Sequence, residues 1–131
     1  MKKSYLLLSF MFLLSVFFSC RIDIVGDCKD SIGVERKEVV FNAGKDSIEL
    51  RTKKGDDWWL SGITIRDSVY NSFSADDKVI TAGGLSVEKT GRKSVFIRIE
   101  PNLTDAERKF TVWLQDGNCF NRIHITQKIK E

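Results

Sequence analysis

The feature that most restricts the fold is the alternation of apolar and polar residues between Arg108 and Lys128. Phe110, Val112 and Leu114 share one face of the first half, and Ile123 and Ile125 share one face of the second. A period of two belongs to a strand with one side buried. Asp116-Gly117-Asn118-Cys119 lies between the two runs, and Gly117-Asn118 suits the positive dihedrals of a tight hairpin. Pairing Val112 with Ile123 and Phe110 with Ile125 keeps both apolar sets on the core side. A slip of one residue would bury Arg122 and His124, so the pattern sets the register strongly. The same register predicts Trp113 opposite Arg122, Thr111 opposite His124 and Gln115 opposite Phe120, all six facing away from the core.

Similar runs recur upstream at short intervals, separated by turn residues. They are Glu38 to Phe41, Ser47 to Lys53, Trp58 to Arg66, Leu85 to Glu88 and Ser94 to Glu100. Pro101 ends the last of these, since proline supplies no ladder donor. Residues 67 to 83 are less regular. Thr104 and Glu107 have capping-box spacing, which predicts one helical turn between the sheets. Nothing after residue 20 holds a helical period for three turns. Seven to eight short strands argue for an all-β fold, an immunoglobulin-like two-sheet β-sandwich, with a closed barrel as the alternative. Trp58 and Trp59 are adjacent, so a strand sends them to opposite faces. Trp59 shares parity with Ile63 and Ile65 and is expected in the core, with Trp58 outward, unless a bulge at Gly62 reverses the parity.

The N-terminus predicts an address. Lys2 and Lys3 precede an apolar run from Leu6 to Phe18, broken only by Ser9 and Ser15, and Ser19 precedes Cys20. The run is shorter than the roughly 20 residues a spanning helix needs. Basic residues, a short apolar run and a small residue at the cut form a secretory signal. Residues 1–19 are therefore expected to be a lipoprotein signal peptide, with Cys20 as the lipidation site. The alternative is an ordinary cleaved signal. Residues 20–33 read as a tether and residues 34–131 as one domain. The chain has 21 Lys+Arg against 18 Asp+Glu. Without Lys2 and Lys3 the excess falls to one, so charge gives no warrant for nucleic-acid binding. The three cysteines become two when Cys20 carries lipid. Cys28 and Cys119 are then an even pair in an oxidising compartment, either bridged or left as two thiols.

The outward Trp113, Phe120 and Arg122 form a candidate binding face, which could stack on a sugar ring or seat a protein partner. His124 is the only histidine. It lies mid-strand with no nucleophile placed by spacing, so a catalytic triad is not supported. The histidine–cysteine set of a zinc site is missing. Asp56-Asp57 and Asp76-Asp77 lack calcium-loop spacing and read as turn residues. The expectation is a non-enzymatic module with no cofactor or metal, with a small envelope enzyme as the remote alternative. Its partners would be the membrane, through lipid, and an envelope protein or a glycan.

Residues 34 to 130 resemble a BACON domain, an immunoglobulin-like module of Bacteroidetes surface proteins. The resemblance rests on the strand leading into Pro101-Asn102, on Arg108 six residues after Asn102, and on the Phe110-x-Val112-x-Leu114 strand. Ile123-x-Ile125-x-Gln127 closes it, with Phe41, Gly44 and Trp59-Leu60 upstream. The relaxed lipobox, with Phe17 and Phe18, resembles those of Bacteroidetes lipoproteins. The resemblance implies a β-sandwich and, through the family's name, carbohydrate binding, although some such modules look like spacers. Members often sit beside glycan-degrading catalytic domains. Arg21, Ile22 and Asp23 lack the acidic run that resembles a surface-export signal, which favours the periplasmic side of the outer membrane. In an immunoglobulin-like sandwich the first strand often runs parallel to the last, which would bring Cys28 and Cys119 to the same end.

Overall fold

The structure, a computed structural model, describes residues 28–71 and 76–131. The signal segment 1–19, Cys20 and residues 21–27 of the expected tether lie outside the described residues. The fold is all-β, with two stacked sheets. Its strands are β1 (Glu38–Phe41), β2 (Asp46–Arg51), β3 (Trp59–Ile65), β4 (Ser68–Asn71), β5 (Val79–Ala82), β6 (Leu85–Gly91), β7 (Ser94–Ile99), β8 (Arg108–Asp116) and β9 (Cys119–Gln127). One sheet has the order β1-β9-β8-β3-β4, the other β2-β7-β6-β5. First and last strands run parallel, with Val39 opposite Ile125. The β8–β9 ladder has the register that the alternation predicts, Val112 opposite Ile123 and Trp113 opposite Arg122.

Among the described residues nine strands stand where seven to eight are expected, because the irregular stretch 67 to 83 supplies both β4 and β5. All four residues of β4 are exposed, so it has no buried side to alternate with. The turn before it is Arg66-Asp67, with Arg66 at φ 52°. That conformation normally selects Gly, Asn or Asp, so the sequence carries no turn signal there. The β5–β6 turn is the opposite case. Gly83 and Gly84 both have positive φ, 56° and 81°, as a type I′ hairpin requires. A Cβ on Gly83 would also come 2.5 Å from Ile65 Cδ1.

The core fills the space between the sheets. Phe110, Val112, Leu114, Ile123 and Ile125 face Leu50, Leu85, Val87, Val95, Ile97 and Ile99, all nearly devoid of solvent contact. Each such aliphatic side chain contributes about 1.5–3 kcal/mol relative to exposure.

The tryptophan assignment is reversed. Trp58 is the buried one at 1% exposure, and Trp59 is half-buried on the outer face, opposite Gln115. The cause is a β-bulge: the register skips between Leu60 and Gly62, leaving Ser61 as the extra residue. Leu60 and Ile63 are both buried although three apart, which strict alternation forbids. Trp58 packs beneath the loop before it. Its indole nitrogen donates to Thr52 Oγ1 at 3.3 Å, and Lys89 Nζ lies 4.4 Å from the ring centroid. Lys89 also donates to the Trp58 carbonyl. Burial of this ammonium holds its pKa below the ordinary lysine value, against the pull of Asp57 and Asp56.

Two further expectations change. Residues 28–33, expected as the end of a tether, are packed onto the domain. Ile32 is fully buried, and the backbone nitrogens of Lys53, Lys54 and Gly55 donate to the carbonyls of Gly33, Ile32 and Ser31. A Val34–Thr52 bridge continues the contact. The helical turn expected at Thr104 is absent: residues 104 to 106 form bends. Asn102 takes over instead. Its Oδ1 accepts from the Thr104 nitrogen and hydroxyl, and its Nδ2 donates to the carbonyls of Ala106 and Lys128. Thr104 Oγ1 is therefore spent on a local turn.

Asn102, Arg108 and Gln127, the polar residues of the resemblance, converge on that end of the sandwich. Gln127 is fully buried. Its amide nitrogen donates to the carbonyls of Ala43, Gly44 and Glu100 at 3.3, 3.1 and 3.1 Å, and its oxygen accepts from Arg108. Arg108 also donates to the carbonyls of Gly83 and Glu100. These residues close the sheets at one end.

Candidate functional site

The outer face of the five-stranded sheet carries the candidate residues. Strand pairing arranges its side chains in rows: Phe120, Gln115 and Trp59 in one; Arg122, Trp113, Gly62 and Asn71 in the next; Glu38, His124, Thr111, Thr64 and Val69 in the third. Trp113, Phe120, Arg122 and His124 therefore share one face. Period two in β8 and β9 is enough to put them there.

Trp113 is expected to be exposed and is half-buried. Gly62 stands opposite it, and a Cβ there would come 2.9 Å from the Tyr70 carbonyl of β4. The Trp113 Nε1 donates to Thr64 Oγ1 at 2.8 Å. The Arg122 guanidinium carbon sits 4.9 Å from the Trp113 ring centroid, a cation–π contact. Phe120 meets the same ring edge-on, with centroids 6.4 Å apart and planes at 83°. Thr64 fixes Trp113, and Trp113 orients Arg122 and Phe120. Phe120 remains 37% exposed and forms a ridge.

A shallow depression lies on each side of that ridge. The first, of about 290 Å³, is lined by Ser61, Gly62, Thr64, Val69, Asn71, Trp113 and Phe120. The second, of about 270 Å³, is lined by Cys28, Asp30, Lys37, Phe120, Asn121, Arg122 and His124. His124 shares a 3.3 Å hydrogen bond with Thr111 Oγ1. Cys28 and Cys119 are joined by a disulfide, with Cα atoms 5.3 Å apart. The bridge holds the N-terminal segment as one wall of the second depression. Asp30 on that wall pairs with Lys37 Nζ at 3.0 Å and accepts from the Gly33 nitrogen at 2.9 Å. Burial works against ionisation of Asp30, but the bonds from Lys37 and Gly33 and the charges of Lys37 and Lys54 outweigh it. Its carboxyl therefore sits below the usual value.

Several lining residues were invisible to sequence reasoning. Asn71 and Val69 belong to the unforeseen β4, and Asp30 and Lys37 lie before any periodic pattern begins. Trp59 was placed on the wrong face by the bulge. Among the described residues no group of three or more His, Cys, Asp or Glu side chains is placed to hold a metal, and no helix is long and apolar enough to cross a membrane.

No protein-family model and no curated protein sequence matches the chain. Solved structures do. An NMR structure of a protein from Bacteroides thetaiotaomicron is similar with a TM-score of 0.63 at 22% identity, over 86% of this chain and 96% of that one. A Bacteroides ovatus GH5 xyloglucanase, solved with a XXXG heptasaccharide, is similar with a TM-score of 0.54 at 19% identity. The match covers 77% of this chain but only 19% of the xyloglucanase chain. At such identities the likeness is one of fold.

Proposed function

We propose that this chain is a non-catalytic, BACON-like binding module, anchored in the cell envelope by lipid on Cys20, that docks onto an envelope protein through the outer face of its five-stranded sheet. The outer membrane, on its periplasmic side, is the expected location. The observation that carries the reading is the exposed Phe120 ridge backed by a fixed Trp113–Arg122 pair, with a depression on either side. Aromatic and arginine side chains held rigid in this way dominate protein interfaces, because little side-chain freedom is lost on contact. The test is photocrosslinking in cells, with benzoylphenylalanine at position 120 and at Leu103, which is 92% exposed on a distant loop. A discrete adduct from position 120 that is missing from position 103 supports docking. Equal patterns from both positions, or none, reject it.

A second reading, glycan binding, is favoured by the first depression, where Trp113 and Phe120 stand beside the polar Ser61, Thr64 and Asn71. An aromatic ring with hydroxyl and amide groups beside it can seat the apolar face of a sugar. The fold likeness to a chain named as a xyloglucanase suggests XXXG as the first probe. Titration of tryptophan fluorescence with XXXG separates the readings: a saturable change that Phe120→Ala removes favours glycan.

A further inference from the structure

The two depressions beside Phe120 differ in chemistry, and that difference restricts the partner. Arg122 is the informative group. Its guanidinium is stacked on an indole that is itself fixed by Thr64. Among the described residues, no carboxylate lies within ion-pairing distance of it. A stacked guanidinium keeps its in-plane N–H groups free, in the fork that matches a carboxylate. One nearby cation is already committed, and a carboxylate flanks the strand. Lys37 is bound to Asp30, and Glu38 stands opposite His124 in register. With Asp30 and Glu38 at its margin, this depression suits a singly charged planar anion better than a dianion such as phosphate. Across the ridge, Val69, Trp113 and Phe120 form a largely apolar recess with no charged side chain in its lining.

We propose that the outer face recognises an extended protein segment carrying one carboxylate side chain, received by Arg122 beside Phe120, and one large apolar side chain, received across the ridge between Trp113 and Val69. The inference rests on the docking reading and names the chemistry of its partner. Both side chains flank one ridge, so they belong to neighbouring residues of the segment. The second depression is walled by Cys28 and Asp30, so the disulfide shapes the carboxylate site and leaves the apolar one alone.

The test uses an array of decapeptides in a Ser/Gly background, each with one Leu or Phe and one Glu separated by zero to three residues, titrated with the purified full chain. At least one spacing is expected to bind saturably, and Glu→Gln in that peptide is expected to weaken it tenfold or more. In the Arg122→Gln protein the Glu and Gln peptides should bind alike, at the weaker affinity, with the melting temperature unchanged. No binding at any spacing overturns the proposal, as does equal affinity for Glu and Gln peptides in the wild type. Preference for Glu that persists in Arg122→Gln moves the site elsewhere and also overturns it. Binding of trigalacturonate in place of every peptide would assign the face to acidic glycans instead. A crosslink from position 120 without any Glu preference leaves docking standing and removes the carboxylate inference alone. Loss of both removes both.

Discussion

The two ends of the sandwich are closed by different means. At one end Gln127, Arg108 and Asn102 tie three loops and the C-terminal tail together through side-chain hydrogen bonds to backbone carbonyls. At the other end, about 30 Å away along the nine-residue β9 at roughly 3.4 Å per residue, a disulfide and the burial of Trp58 and Ile32 do the same work. The first end depends on amide geometry that apolar replacement cannot imitate. The second depends on a covalent link and on a segment with little regular structure. The candidate docking face borders the second end, where its wall is supplied by that segment. Closure by hydrogen bonds serves the fold alone, while closure by the bridge also shapes the proposed docking face.

Substitutions at each end sharpen this contrast. Trp58→Ala should have the largest effect, a loss of about 3–5 kcal/mol for a fully buried indole, read from the denaturant midpoint. Replacing Cys28 and Cys119 together by Ala should cost about 2–4 kcal/mol, since the bridge closes a long loop in the unfolded chain. The same variant should lose binding at the Arg122 side of the ridge. Gln127→Ala should cost about 2–3 kcal/mol by leaving carbonyls and Arg108 unpaired, with no effect on partner binding. A binding loss in Gln127→Ala at temperatures where it stays folded would break the contrast. Phe120→Ala should change stability by less than about 0.5 kcal/mol, as for a surface position, and abolish the docking described above. The smallest effect belongs to Asp30. Its carboxyl lies below the ordinary value of 3.8 when folded. The resulting stabilisation is present above that pH and is lost as pH falls through the folded value. Asp30→Asn should lower the neutral plateau slightly and flatten the acid limb, leaving the stability below the folded pKa unchanged.

Legibility followed the same division. The β8–β9 hairpin was readable in full, because alternation and a Gly-Asn turn agreed on one register. The residues of the hydrogen-bonded end were visible as an Asn, an Arg and a Gln, but their shared network was not, since the partners are carbonyls of Ala43, Gly44 and Glu100, positions of no distinctive chemistry. The bridged end was hidden for a different reason. Ile32 is a single apolar residue in a stretch without period, and its neighbours are held by backbone bonds to residues 53 to 55. Trp58 and Trp59 exchanged faces through one extra residue, Ser61, next to the Gly62 that carries the alternative in the sequence, and a single glycine does not decide between a bulge and a regular strand. The candidate face was half legible: Trp113, Phe120 and Arg122 follow from parity, whereas Val69 and Asn71 needed a strand whose turn is made by Arg66.

The disulfide also determines how force would travel. A pull entering at Cys28 and resisted at Phe120 passes through one sulfur–sulfur bond and the single peptide link from Cys119. The intervening stretch, β1 through β8, hangs from that path as a slack side loop. Without the bridge, hauling from the N-terminal side would first strip residues 31 to 35 from residues 51 to 55, and then β1 from β9. With the bridge closed, such a pull bypasses the ladders between Cys28 and Cys119, so under the proposed docking a partner's hold on Phe120 would part before any strand does.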